Sequence, residues 1–277
     1  MKKTSIDLIF YGIKRGSGLT KPLNLRLINN LKNYFSVRVI EIVNSTLIVN
    51  NHRSGEKNIK IDQSFFFEKS IKIKKKYIIT KDYFKIFNLL NKLPDPHHDD
   101  YKTLSNLCQQ LSMLSDASKL IKSNYAICMR DDIIFDLEYM LKNIIFFVYN
   151  NSYKSNYILT SCFYSNRGVC ERFFIANKKV SIDLANRIIF VPSYLKNLAY
   201  KKYININNLN GEYLMRYTLE NLKYDVIGPP IILDRIRAHN FIQKDSLLYN
   251  PKHLIHDKYL FKSLINYFLI KLKMFYE

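Results

Sequence analysis

With 277 residues, 48% of them apolar and 14% aromatic, the chain can bury enough surface to offset the entropy of ordering, and general disorder is excluded. Its 43 Lys and Arg against 23 Asp and Glu give a net charge of +20, which points to polyanions, phosphorylated small molecules or an anionic membrane face without choosing among them. Cys108, Cys128, Cys162 and Cys170 show no CxxC spacing and are too few for a disulfide framework, which fits a reducing cytosol.

The N-terminus, Met1-Lys2-Lys3-Thr4-Ser5, lacks the long apolar region of a signal peptide and leads straight into Ile6–Tyr11, a buried strand. Gly12 to Gly18 reads as a basic loop, and Thr20 as the N-cap of a helix with Pro22 in its first turn and Leu23, Leu27, Ile28, Leu31 and Phe35 at helical spacing. Val37–Val43 is a second strand; strand, loop, helix, strand is the opening of an α/β domain whose ligands bind beyond the strand ends. Residues 50–76, with a lysine cluster at Lys72, Lys74, Lys75 and Lys76, read as loops, an edge strand and a solvated face. After the polar break at Asp95–Asp100, Leu104, Leu107, Leu111 and Leu114 mark an amphipathic helix, and Asn124–Met129 a buried strand. Helices follow near 135–149, 181–198 and 211–222, with strands at Tyr157–Ser161 and Phe173–Ala176 and an interrupted one at Val226–Leu233. The longest apolar stretch, Ile144–Tyr149, is far short of a membrane span. The tail Tyr259–Phe275 is a basic amphipathic helix, so the expected division is a main domain over 1–245 and a helical extension over 246–277.

Charge is uneven: residues 1–90 hold 18 basic against 6 acidic side chains, and residues 95–138 hold 4 against 8. Within that acidic island, Arg130-Asp131-Asp132 closes a buried strand. Adjacent carboxylates at a strand end suit a hard cation, Mg²⁺ or Mn²⁺, that bridges protein and diphosphate; the alternative is that one of them caps the helix near Phe135. Lys14 and Arg15 in the first loop, and Arg235 and Arg237 after a later strand, suit phosphates. The first loop is neither GxGxxG nor a P-loop.

Tyr11-Gly12-Ile13-Lys14-Arg15 after a strand, with Thr20 opening a helix, resembles the start of bacterial surface-polysaccharide glycosyltransferases of GT-A-like fold, the WavE-type lipopolysaccharide-synthesis and capsule group. Asn106 and Gln110 ahead of Arg130-Asp131-Asp132, then Glu171-Arg172-Phe173-Phe174-Ile175, Glu212-Tyr213-Leu214, and Arg235 or Arg237, follow in the order of that group, over residues 5–240. The resemblance implies an α/β fold with a mixed, mostly parallel sheet flanked by helices, and a hexosyltransferase-like activity moving a sugar from a nucleotide donor to a glycan or lipid-linked glycan. It implies that Asp132, with Asp131 assisting, holds Mn²⁺ or Mg²⁺, and that His239 is a further candidate ligand. Lys14, Arg15, Arg130, Arg235 and Arg237 would line the donor, with Glu171 first choice and Glu212 second for the base that deprotonates the acceptor. The setting would be cytoplasmic, with the anionic inner-membrane face as a candidate surface. The rival reading, a nucleic-acid-binding protein or metal-dependent nuclease, would use the same basic charge with 21 Tyr and 18 Phe for stacking. No RNP, helix-turn-helix or zinc pattern supports it, and nucleic acid is not the expected partner.

Overall fold

Alternate residues of the first strand, β1 (Ser5–Tyr11), enter two different cores. Ile6, Leu8 and Phe10 pack on one side of the sheet, and Ile9 and Tyr11 on the other. The strand is thereby buried on both faces, as the apolar run Leu8–Tyr11 requires, and the one charge within it, Asp7, is paired with Arg38 at 2.7 Å.

The computed structural model describes residues 3–14, 17–45, 48–51, 56–60, 64–85, 95, 98–150, 155–162, 169–200, 211–236, 242–243, 262, 264–269 and 271–272. After β1 come α1 (Ser17–Tyr34), β2 (Ser36–Asn44), β3 (Ile48–Asn51), β4 (Glu56–Lys60), β5 (Ile71–Lys75) and α2 (Asp82–Lys85). There follow α3 (Lys102–Ser118), β6 (Tyr125–Arg130), β7 (Ile133–Phe135), α4 (Leu137–Asn150), β8 (Tyr157–Leu159) and β9 (Phe173–Asn177). The last are α5 (Lys178–Ala185), α6 (Val191–Tyr200), α7 (Gly211–Leu222), β10 (Asp225–Ile227), β11 (Leu233–Ile236) and β12 (Ile242–Gln243).

The main sheet has seven strands in the order β10-β8-β9-β6-β1-β2-β5. All neighbours run parallel except β9, which is antiparallel to both β6 and β8. Helices α1 and α4 cover one face through Leu27, Leu31, Ile144 and Phe147. Helices α3, α5 and α7 cover the other through Met113, Leu114, Leu184, Met215 and Leu219. This is the expected α/β architecture, a mixed, mostly parallel sheet flanked by helices. The lysine-rich strand β5 lies at its edge, with Lys72 and Lys74 exposed.

Three elements differ from the expected ones. Helix α1 begins at Ser17, because Thr20 is fully buried and packs inside the helix instead of capping it. Pro22 consequently sits within the helix and removes the backbone bond to the Gly18 carbonyl. The helix expected at 181–198 is two helices separated by a 3-10 turn at Arg187–Phe190. Pro192 accounts for the break, since it has no N–H to offer the carbonyl four residues earlier. The short strand β7 separates Asp132 from α4, and pairs with β11 beyond the main sheet.

In the tail, residues 262, 264–269 and 271–272 are helical. Tyr267 is 2% exposed and belongs to the α1–α4 core, its ring 6.0 Å from that of Phe146. Asn266 Nδ2 donates to the Val226 carbonyl at 3.3 Å, and Lys262 pairs with Asp225 at 2.9 Å. No helix among the described residues is long and apolar enough to cross a membrane.

Candidate active site

From β1 the chain builds β2 and then β5 outward on one side, and returns to lay β6 on the other flank of β1. The crevice beyond the ends of β1 and β6 is therefore a topological switch point, where open α/β sheets bind ligands. Gly12 and Asp131 stand on its two sides. Gly12 has φ +114°, a conformation that L side chains rarely adopt. The turn it makes leaves the Tyr11 carbonyl accepting from the Asp131 N–H at 2.9 Å.

The two carboxylates at this edge have opposite surroundings. Asp132 is held by the fork of Arg130, Nε to Oδ1 at 2.9 Å and Nη2 to Oδ2 at 2.7 Å. Asp131 is buried with no hydrogen-bond partner on either oxygen among the described residues. Burial pushes its pKa up to about 7; Lys14 pulls it down, while the charges of Glu41 and Asp132 add to the rise. Neither residue caps a helix. That role belongs to Asp136, whose Oδ1 accepts from the Tyr139 N–H at 2.8 Å at the start of α4. A buried carboxylate with both oxygens open fits a hard cation. Among the described residues no group of three or more His, Cys, Asp or Glu gathers to hold a metal, and of these two carboxylates Asp132 is already engaged by Arg130.

The antiparallel strand of the main sheet, β9, brings the second acidic pair to the same edge. With Met129 opposite Phe173, the Arg130 N–H donates to the Arg172 carbonyl at 3.0 Å, and the start of β9 lies level with the end of β6. Glu171, just before β9, has Arg187 Nη2 3.3 Å from Oε2 and Arg130 Nη1 3.9 Å from Oε1. Arg187 is wholly buried and also donates to the Leu184 carbonyl at 2.9 Å. Gly211, which opens α7, meets the same carboxylate: a Cβ there would fall 2.2 Å from Oε2. Glu212 follows in the first turn of α7, 4.0 Å from Arg172. Burial raises its pKa, the charge of Glu171 raises it further, and Arg172 and Arg235 oppose the rise. Arg235 is delivered by β11, paired with Ile133, where the Ile236 N–H donates to the Asp132 carbonyl at 2.8 Å.

Lys14 is engaged rather than open. Its Nζ lies 2.8 Å from Glu41 Oε2 and 2.8 Å from the Ser64 carbonyl, and 3.7 Å from the centroid of the Phe66 ring. Glu41 also accepts from the N–H groups of Phe66 and Phe67 and from the Ser70 hydroxyl. Burial alone would raise the Glu41 carboxyl, but the bonds from Lys14, Ser70 and Phe66 outweigh it and hold the pKa below its ordinary value. A carboxylate lowered by folding stabilises above its ordinary range, and that stability is lost as the pH falls through the folded value. Glu41→Gln should therefore cost about 3 kcal/mol at neutral pH, because it leaves the Lys14 charge buried without a counter-charge, and the difference from wild type should shrink on acidification. Urea unfolding at a series of pH values checks this; a variant as stable as wild type at neutral pH overturns it.

The structure thus brings together Asp131, Asp132, Arg130, Glu171, Glu212 and Arg235, with Lys14 beside them and committed to Glu41. Arg15, Arg237, His239 and His97 lie outside the described residues, and His98 is exposed. Sequence reasoning passed over Glu41, Arg187 and Gly211. A lone acid in Val39-Ile40-Glu41-Ile42-Val43 and a lone base in Ala185-Asn186-Arg187-Ile188-Ile189 are the signals that mark the first two, since a charge inside an apolar run must find a partner.

No family model and no curated protein matches the chain. Among solved structures, that of CMP:2-keto-3-deoxy-manno-octonic acid synthetase complexed with CTP is similar over 82% of this chain and 88% of its own, at 9% identity and a TM-score of 0.33. At that TM-score the likeness is a loose one.

Proposed function

We propose that the chain is a glycosyltransferase that moves a sugar from a nucleotide donor to a glycan acceptor in bacterial surface-polysaccharide synthesis, of lipopolysaccharide or capsule. The observation that carries this reading is Asp131: a buried carboxylate with both oxygens unpartnered among the described residues, at the switch point of the sheet, next to a carboxylate held by arginine. Such a group is costly unless a ligand uses it. The assignment to surface polysaccharide rests on the order of motifs from Tyr11-Gly12-Ile13 to Arg235. The aromatic residues that a nucleic-acid reading would need for stacking include Phe10, Phe35, Phe66, Phe67, Phe84, Phe147, Phe173 and Phe174, all buried.

In this reading the acceptor hydroxyl gives its proton to a carboxylate as its oxygen bonds to the anomeric carbon, and the bond from that carbon to the donor phosphate breaks with its electron pair leaving on the nucleotide. We place the proton on Glu212. Glu171 already has an arginine at each oxygen and Gly211 against its carboxyl group, whereas burial and the charge of Glu171 raise the Glu212 carboxyl above its ordinary value, and its side chain is the more exposed of the two, 16% against 9%. Glu171 then acts through Glu212 as a fixed negative neighbour. Arg130 and Arg235 supply positive charge on the leaving-group side. Mn²⁺ or Mg²⁺ held by Asp131 and Asp132 would supply charge that neutralises the departing phosphate.

Calorimetric titration with UDP, GDP and CMP, each with and without Mn²⁺, tests the reading. One nucleoside diphosphate should bind more tightly with the metal, or CMP should bind without it. Binding of none of the three, together with salt-dependent binding of arbitrary DNA, overturns it in favour of a nucleic-acid function.

A further inference from the structure

The tail helix has two faces with different surroundings. Leu264, Tyr267 and Lys271 recur at i, i+3 and i+7 on the docked side, where Tyr267 is buried against Phe146 and Lys271 Nζ stands 4.9 Å from the Tyr267 ring centroid. Ile265, Phe268, Leu269 and Leu272 recur at i, i+3, i+4 and i+7, the spacing of one stripe, and are 39%, 53%, 54% and 52% exposed. Four large apolar side chains in a continuous line on a surface helix are a contact surface, not scatter.

We propose that this stripe lies on an anionic lipid surface. Charge selects the occupant. Residues 251–277 hold five lysines, Lys252, Lys258, Lys262, Lys271 and Lys273, against Asp257 and Glu277, within a chain of net charge +20. A second copy would bring the same net charge of +20 against it, whereas an anionic headgroup layer takes up the apolar stripe and is opposite in charge to the chain that carries it. The docked side fixes the direction of the helix. Lys262 pairs with Asp225 at the start of β10, and the charge of Lys271 acts on Tyr139, in the first turn of α4 just after the Asp131-Asp132 turn. The stripe therefore runs along the domain from the far edge of the sheet toward the edge that carries the carboxylates. Lipid beneath it reaches the side where a lipid-linked acceptor would present its sugar; that last step rests on the glycosyltransferase reading, and the lipid contact does not.

The test is sedimentation of the full chain with phosphatidylcholine vesicles, with and without phosphatidylglycerol, at low and high salt. Wild type should pellet with the phosphatidylglycerol vesicles and less so in high salt. Phe268→Ser with Leu272→Ser should lower the partition coefficient by about tenfold or more, with the thermal midpoint and the nucleotide titration unchanged because neither side chain is buried. A second pair, Ile265→Ser with Leu269→Ser, should give the same loss. Wild type remaining in the supernatant with both vesicles overturns the proposal, as does equal pelleting of wild type and both variants. A wild-type dimer that these substitutions render monomeric, without vesicle binding, assigns the stripe to a second copy and also overturns it. Because the vesicle assay contains no nucleotide, its failure leaves the glycosyltransferase reading standing.

Discussion

Asp131→Asn should make the apo protein more stable and, in the same molecule, abolish metal-assisted nucleotide binding. The carboxylate is buried and neither oxygen has a partner, so the folded state carries an uncompensated charge or a proton taken up to avoid it. A neutral amide of the same shape removes the larger part of that cost, about 1 kcal/mol or more, equivalent to a rise in thermal midpoint of about 2–4 °C per kcal/mol for a chain of this size. The amide is at the same time a poor ligand for a hard cation, so enhancement of nucleoside diphosphate binding by Mn²⁺ should disappear. Asp132→Asn should behave oppositely in stability. It breaks the fork with Arg130 and leaves that buried guanidinium facing Glu171 at 3.9 Å in place of its close partner, a loss of about 3 kcal/mol. Thermal melts of both variants beside calorimetric titration separate the two carboxylates. An Asp131→Asn protein that melts lower than wild type and still binds nucleotide with metal enhancement removes Asp131 from the site.

The second large effect is expected at Glu212. A proton acceptor, the role proposed for Glu212, contributes about 10²–10⁴-fold to rate and little to donor affinity, so Glu212→Gln should lower transfer by that factor with nucleotide binding intact. Glu171→Gln should show a different signature. The negative neighbour that raises the Glu212 carboxyl is removed, its pKa falls, and the acid limb of the pH–rate profile moves to lower pH. Arg187 and Arg130 meanwhile lose their shared counter-charge, so this variant should also melt lower. The opposite pattern, a shifted profile in Glu212→Gln and a simple loss of rate in Glu171→Gln, would exchange the two roles.

Most of what positions the site is legible in the sequence, because it lies in strands whose burial is written in consecutive apolar residues. Ile6–Tyr11 and Asn124–Met129 can each be read as a buried strand of an α/β sheet, and with them the loop at Gly12 and the carboxylates at Asp131 and Asp132; their pairing side by side is shown by the structure alone. Their surroundings were hidden for a reason of scale. Whether Asp132 faces Arg130 or a helix end depends on β7, three residues that pair with β11 about a hundred positions away. Local spacing reads Asp131 or Asp132 as a cap for a helix near Phe135, and Asp136 fits that role equally well by composition. Arg187 was lost in a single long helix, since helical periodicity continues across Pro192 even where the backbone hydrogen bonds do not.

Gly211 and Glu171 together occupy the space of one ordinary contact. Adding a methyl group at 211 places it 2.2 Å from a carboxylate oxygen, and the carboxyl group cannot retreat without leaving Arg187. The volume can be conserved in another way, by shortening position 171 to Asp as position 211 lengthens to Ala. Across divergent relatives these two positions, forty residues apart, should therefore change as a pair: glycine with glutamate, or a larger residue with aspartate. A chain carrying both long side chains would have to start α7 at a different residue, and with it move the first carboxylate of that helix.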